Sequence, residues 1–157
     1  MTHSAHLPVM LSEALGALAP ADRELHIDAT LGAGGYTRAI LDAADCRVVA
    51  FDRDPTAIAR AQPWAEKYRD RLTLIERPFA EIEEAFREVS AAAIDGAVFD
   101  LGVSSMQFDE AERGFSFRAD GPLSMRMDGR KPDAADVVND AEAGDLAAIF
   151  KAYGEER

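Results

Sequence analysis

The sequence predicts an α/β domain in which a parallel sheet carries helices on both faces, and three observations support that expectation. Short apolar runs alternate with helix-period segments between residues 11 and 101, the pattern of consecutive βαβ units. The runs are apolar almost throughout, as strands covered on both faces require. A glycine-rich stretch, Gly32-Ala33-Gly34-Gly35, closes the first run and opens a helix, and open α/β sheets bind ligands at such turns.

Taken in order, Leu11, Leu15 and Leu18 recur at helical spacing, so a helix precedes the first strand. Strands are expected at 25–30, 47–52, 72–76 and 96–101, with helices between them at 37–44, 55–68 and 81–89. The helix at 55–68 is the most sharply marked. Asp54 is a favoured N-cap, and Pro55 fits the first helical position, where its missing N–H costs nothing. Past residue 101 the pattern lapses. Residues 106–132 are rich in Gly, Phe, Arg and Asp without a sustained period, which reads as a long functional loop. Helical patterning returns over 133–153, where Leu146, Ile149, Phe150 and Tyr153 form a stripe and Gly154 supplies the stop. The expected division is a sheet core over 1–105 and a loop-and-helix appendage over 106–157.

A chain of 157 residues, 48% hydrophobic, suffices for one core and not for two large ones. Seventeen Lys+Arg against 29 Asp+Glu leave a net charge of −12, which by itself opposes nucleic-acid binding. A lone cysteine, Cys46, permits no internal disulfide, and His3, His6 and His26 are not grouped with other metal ligands. No structural metal and a reducing, cytoplasmic setting are expected. No apolar stretch reaches the ~20 residues of a membrane helix, so the expectation is a soluble protein that is not exported.

The turn that begins at Asp28 and runs to Thr37 carries the strongest chemical signal. Its glycines let the backbone turn sharply, and Asp52 stands at the end of the second strand, 20 residues after Gly32, where a carboxylate can accept from both ribose hydroxyls. An adenosine-type cofactor follows. The third glycine of a dinucleotide fingerprint would fall on Thr37, and the Gly-Lys-Ser/Thr of a P-loop is absent, so a pyrophosphate ligand is disfavoured. S-adenosylmethionine, with ribose and adenine but no phosphate, fits better; the alternative is a tight strand-to-helix turn with no ligand. At the end of the fourth strand stands Asp100, followed by Leu101-Gly102-Val103-Ser104-Ser105. An acidic residue there can accept from an exocyclic amine and orient its lone pair, or it can simply cap the next turn. Trp64 and Tyr68 read as packing residues, and His26 has no partner that the sequence identifies.

His6-Leu7-Pro8-Val9-Met10-Leu11, the Asp28–Gly35 stretch, Asp52-Arg53-Asp54-Pro55, Asp100 through Ser105, Glu112-Arg113-Gly114-Phe115-Ser116-Phe117, Asp120-Gly121-Pro122-Leu123 with Met125-Arg126-Met127-Asp128, and Tyr153-Gly154-Glu155-Glu156-Arg157 occur in this order. Together they resemble the signatures of the bacterial 16S rRNA (cytosine-N4)-methyltransferase family. The resemblance implies a Rossmann-like class I methyltransferase sheet, partial with strands one to four, and the start of an inserted helical substrate domain. It implies methyl transfer from S-adenosylmethionine to the 4-amino group of a cytosine in the decoding region, with 16S rRNA or the small ribosomal subunit as partner. By position, Gly34, Gly35 and Tyr36 would contact the cofactor, Asp52 its ribose and Phe79 its adenine. Asp100 and Gln107 would serve the methionine end or the reaction centre. Tyr36 replaces a more usual histidine, and Met106 a more usual proline.

The family domain is longer than this chain, so an N-terminal fragment, weakly active or inactive, is expected. Two alternatives stay open: another S-adenosylmethionine-dependent methyltransferase, or an inert cofactor-binding module. Arg113, Arg118, Arg126, Arg130 and Lys131 against Asp120 and Asp128 give a local +3, read either as RNA contact or as arginines paired with neighbouring carboxylates. Finally, class I strand order 3-2-1-4 would leave strand 96–101 at an edge, and self-association there, or else a stability lower than the composition suggests, is expected.

Overall fold

In the computed structural model, which describes residues 8–89 and 93–154, the four apolar runs pair as one parallel sheet. Its strands are β1 (Leu25–Asp28), β2 (Arg47–Asp52), β3 (Leu72–Glu76) and β4 (Gly96–Val98), in the order β3-β2-β1-β4. His3, His6 and residues 155–157 lie outside the described residues. The chain divides into two compact units, Met1–Gly102 and Val103–Arg157.

In the first unit, α1 (Leu11–Leu18), α2 (Gly35–Ala43), α3 (Pro55–Ala65) and α4 (Ile82–Val89) join the strands. Side chains of a strand alternate between faces, and β2 shows how both are used. Val48 and Ala50 enter a cluster with Leu31, Ile40, Leu41 and Ala61, while Val49 and Phe51 enter another with Leu25, Ile27, Ala85 and Phe86. Fully buried side chains such as Phe51 and Ile27 each contribute roughly 1.5–3 kcal/mol. The same alternation on β1 turns Leu25, Ile27 and Ala29 toward α4 and leaves His26 and Asp28 for the opposite face. There Asp28 reaches α2. His26, which the sequence left without a partner, has Nε2 3.0 Å from Glu24 Oε2.

Helix ends are satisfied locally. The Asp54 side chain accepts from Thr56 N with Pro55 at the first helical position, as expected. Arg71 donates to the carbonyls of Leu41, Ala44 and Cys46 at 3.0, 2.9 and 3.2 Å, capping the end of α2, where carbonyls lack intrahelical partners.

Two strands are shorter than expected. β1 stops at Asp28 because that carboxylate draws the Thr30 amide into a turn at 3.1 Å. β4 stops at Val98, and the Asp100 amide then donates to the Thr30 hydroxyl at 2.8 Å. Helix α3 also ends early, at Ala65, and continues as a 3-10 turn to Tyr68.

The second unit corrects the expectation of an unbroken loop over 106–132. It opens with α5 (Ser105–Asp109), which a capping box holds: Ser104 Oγ accepts from Gln107 N, and Gln107 Oε1 accepts from Ser104 N. A 3-10 turn covers Ala111–Arg113. The Ser-x-x-Gln spacing is the signature of such a start. The 133–153 segment is two helices, α6 (Ala134–Asp140) and α7 (Ala143–Tyr153), separated by extended backbone at Ala141 and Glu142. Gly154 donates to Phe150 O and ends α7. Of the basic stretch, Arg113 donates to Met127 O at 2.7 Å, Arg126 pairs with Asp128, and Lys131 pairs with Asp133 and Asp136. These three cations therefore serve the unit's own structure. No helix among the described residues is long and apolar enough to cross a membrane.

Candidate cofactor site

All four strands of the first unit end on one edge, and the pairing register sets what stands there. Asp28 lies beside Ala50 and Val98, and Asp52 lies beside Glu76. From β3 to β4 the edge thus presents Glu76, Asp52, Asp28 and the Phe99-Asp100 step.

Asp52 organises the glycine turn. Its Oδ2 accepts from Gly32 N at 2.8 Å and its Oδ1 from Asp54 N at 2.9 Å. Burial raises its pKa above the usual carboxylate value, and the backbone amides of Asp54, Gly32 and Arg53 only partly offset this. Asp28 is fully buried. Its Oδ2 accepts from the Thr37 hydroxyl and amide at 2.6 and 3.1 Å, and its Oδ1 from Thr30 N. Burial pushes the carboxyl up to about 6 against those three hydrogen bonds. Where a dinucleotide fingerprint has its third glycine, Thr37 uses its hydroxyl to tie α2 to the end of β1.

The glycines do different work from one another. Gly34 has φ 78°, and a Cβ there would lie 2.3 Å from Cζ2 of Trp64; a Cβ on Gly35 would lie 2.2 Å from Cγ of Pro8. Protein rings therefore fill the space that the sequence reading left for a ligand at these two positions. Gly32, at φ 50°, is the open one, with Thr30 O at 3.9 Å the nearest atom to an added Cβ. Tyr36 is buried, and its hydroxyl donates to Val9 O. Burial, then the charges of Asp100 and Asp28, raise that hydroxyl's pKa.

Phe79 follows β3 and Phe99 follows β4, at opposite ends of the sheet order, yet their rings meet edge to face at 6.0 Å and 83°. They are 47% and 50% exposed, unusually open for phenylalanines. Phe99 was not among the expected site residues. Its only sequence signal is an aromatic just before Asp100, hidden inside an apolar run. The Asp100 carboxylate is exposed. Asp52, the glycine turn, Phe79 and Asp100 thus share one edge of the first unit, whereas Gln107 belongs to the second, in the capping box already described.

Elsewhere, a cleft of about 130 Å³ opens at the amino-terminal end of β2 and β3, lined by Arg47, Arg69 and Arg71 among others. It is smaller than the ~300 Å³ at which ligand pockets begin. No group of three or more potential metal ligands occurs among the described residues.

A family model described as the MraW methylase family matches residues 3–157. The chain belongs to the MraW methylase family. The match takes in residues of both units. Among curated relatives, the protein named ribosomal RNA small subunit methyltransferase H of Parvibaculum lavamentivorans is 56% identical over 154 residues, covering 98% of this chain and 45% of that protein. The protein of the same name from Paramagnetospirillum magneticum is 50% identical over 157 residues, covering 100% and 49%. The chain spans about half the length of these curated relatives. Among solved structures, the C-terminal domain of precorrin-6Y C5,15-methyltransferase from Rhodobacter capsulatus aligns with TM-score 0.52 at 20% identity, over 68% of this chain and 57% of that one. That likeness supports the Rossmann-like fold.

Proposed function

We propose that this chain holds S-adenosylmethionine for methyl transfer to the 4-amino group of a cytosine in the decoding region of 16S rRNA, working in the cytoplasm on the small ribosomal subunit. The observation that carries the reading is Asp52, bonded to Gly32 N at 2.8 Å on the sheet edge that also bears Asp100. The residues fit the cofactor. A carboxylate has about four lone-pair sites, so Asp52 retains acceptor capacity for a ribose hydroxyl beside its bonds from the Gly32, Asp54 and Arg53 amides. Gly32 leaves room for the nucleoside, and the half-exposed rings of Phe79 and Phe99 offer apolar surface to adenine. The main chain at Gly34, Gly35 and Tyr36 fixes the turn. When bound, S-adenosylmethionine supplies an electrophilic methyl on its sulfonium. Asp100 accepts a hydrogen bond from the cytosine amine and orients its lone pair toward that methyl, a contribution through positioning.

Calorimetric titration with S-adenosylmethionine tests the cofactor reading. The chain should bind, and Asp52→Ala should lose about 1.5–3 kcal/mol for each charge-assisted bond removed. Unchanged affinity in that variant would remove the assignment. Incubating small subunits with methyl-labelled cofactor tests the acceptor: label is expected in N4-methylcytidine, and label in another nucleoside or in protein would exclude this substrate class.

A further inference from the structure

Trp64 is the chain's one tryptophan, and its contacts converge on the glycine turn. The indole lies so close to Gly34 that an added Cβ would stand 2.3 Å from Cζ2 and 2.8 Å from Cη2. The Arg38 guanidinium sits 5.0 Å from the indole centroid, and the same arginine donates to Ala33 O at 3.1 Å. Tyr68 meets the indole edge to face at 6.3 Å, and its own hydroxyl donates to Asp42 Oδ1 at 2.8 Å. A ring held by Arg38 and Tyr68 is thus pressed on the main chain between the open Gly32 and the start of α2. The turn is gripped twice. Asp52, just ahead of α3, bonds Gly32 N, and Trp64, near the end of α3, bears on Gly34.

We propose that Trp64 is a positioning residue for the cofactor: its indole sets the main chain of the glycine turn, and its emission reports whether the turn is occupied. This rests on the S-adenosylmethionine reading above. The indole touches the turn from the protein side, so it acts through Gly34 and has no need to touch the ligand. Misplacing a positioning element by about an ångström costs up to about a hundredfold in reaction rate, and the same displacement of the turn should weaken cofactor binding.

The test compares Trp64→Leu and Trp64→Phe with the parent. In ligand-free protein, hydrogen exchange is followed at the amides of Gly32, Gly34 and Thr37, which donate to Asp52, Leu31 O and Asp28. Trp64→Leu should speed exchange there while the β2 amides keep their protection, and Trp64→Phe should restore most of it. Affinity for S-adenosylmethionine should fall about tenfold or more in the leucine variant and largely recover in the phenylalanine variant. Parent emission should shift on saturation with cofactor. Unchanged exchange at the turn overturns the proposal, as does loss of protection spread equally over β2, or faster exchange at the turn with unaltered affinity. A parent that bound no cofactor would remove the functional reading above, while the exchange comparison still decided whether Trp64 braces the turn.

Discussion

A carboxyl group with no exposed surface is held at Asp28 by the Thr37 hydroxyl and amide and by the Thr30 amide. Burial raises its pKa from the ordinary carboxylate value to about 6. A carboxyl whose folded-state pKa lies above its unfolded value binds protons more tightly when folded. Its stabilising contribution is therefore complete below pH ~4 and is lost as the pH rises through about 6. Between pH 7 and pH 5 the parent should gain about 1 kcal/mol in unfolding free energy relative to Asp28→Asn, whose side chain does not titrate. Urea denaturation of both proteins at the two pH values measures this. A difference that stayed constant, or moved the other way, would place the carboxyl's pKa outside that interval. Asp28 also separates two kinds of legibility. Its presence before a glycine turn is visible in the sequence, but its commitment to Thr37 depends on α2 folding back along β1, which no local pattern reports.

Among the elements, β4 is the least defended. It pairs with β1 on one side, and the sheet order leaves its other side at an edge. Ile94, Phe99 and Leu101 around it are all more than 40% exposed, and none of Gly96, Ala97 and Val98 carries a charge. Such an edge invites pairing with a second copy, although a strand of only three residues is a poorer template than the six-residue strand expected. Light scattering across a concentration series should show mass rising with concentration, and Ala97→Lys, at an exposed position, should abolish the rise. A parent that stayed monomeric throughout would show the edge to be protected. The run of β2 was legible to the residue because burial on both faces leaves Val48 to Phe51 no polar interruption, and β3 keeps its expected bounds although Thr73 and Glu76 are exposed. β4 was misjudged because Phe99 and Leu101 extend its apolar run after the backbone has already turned toward Thr30. α5 was missed for a different reason: a five-residue helix shows no period, and only its capping spacing marks it.

For the molecule as a whole, the parts of the candidate site that were legible are those in which the chemistry sits in contiguous residues: the glycine turn, Asp52 and Asp100. The parts that were not legible join residues far apart in the chain. Phe79 meets Phe99, Gly34 meets Trp64, and Tyr36 reaches back to Val9. Each such meeting depends on which strand lies next to which.

That dependence has a consequence in time as well as in space. β1 and β2 pair across about twenty residues, whereas the bonds from Leu25 to Asp95 and from Asp100 to Thr30 each close 70 residues. Closing the longer loop costs roughly 1 kcal/mol more in chain entropy, and it is compensated by only three residues of strand. β4 should therefore join last, onto a preformed β1-β2-β3 nucleus, and should also be the first strand to open. In native-state hydrogen exchange the amides of Gly96 and Val98 should exchange through a partial opening of lower free energy than those of Val48 to Phe51, and equal values would refute this order. On the reading proposed above, cofactor and acceptor would then meet on surfaces of unequal age. The half of the edge that bears Asp52 should form early, and the half that bears Asp100 should be completed only in the final step, so a ligand spanning both would act as the latch that keeps the last strand in place.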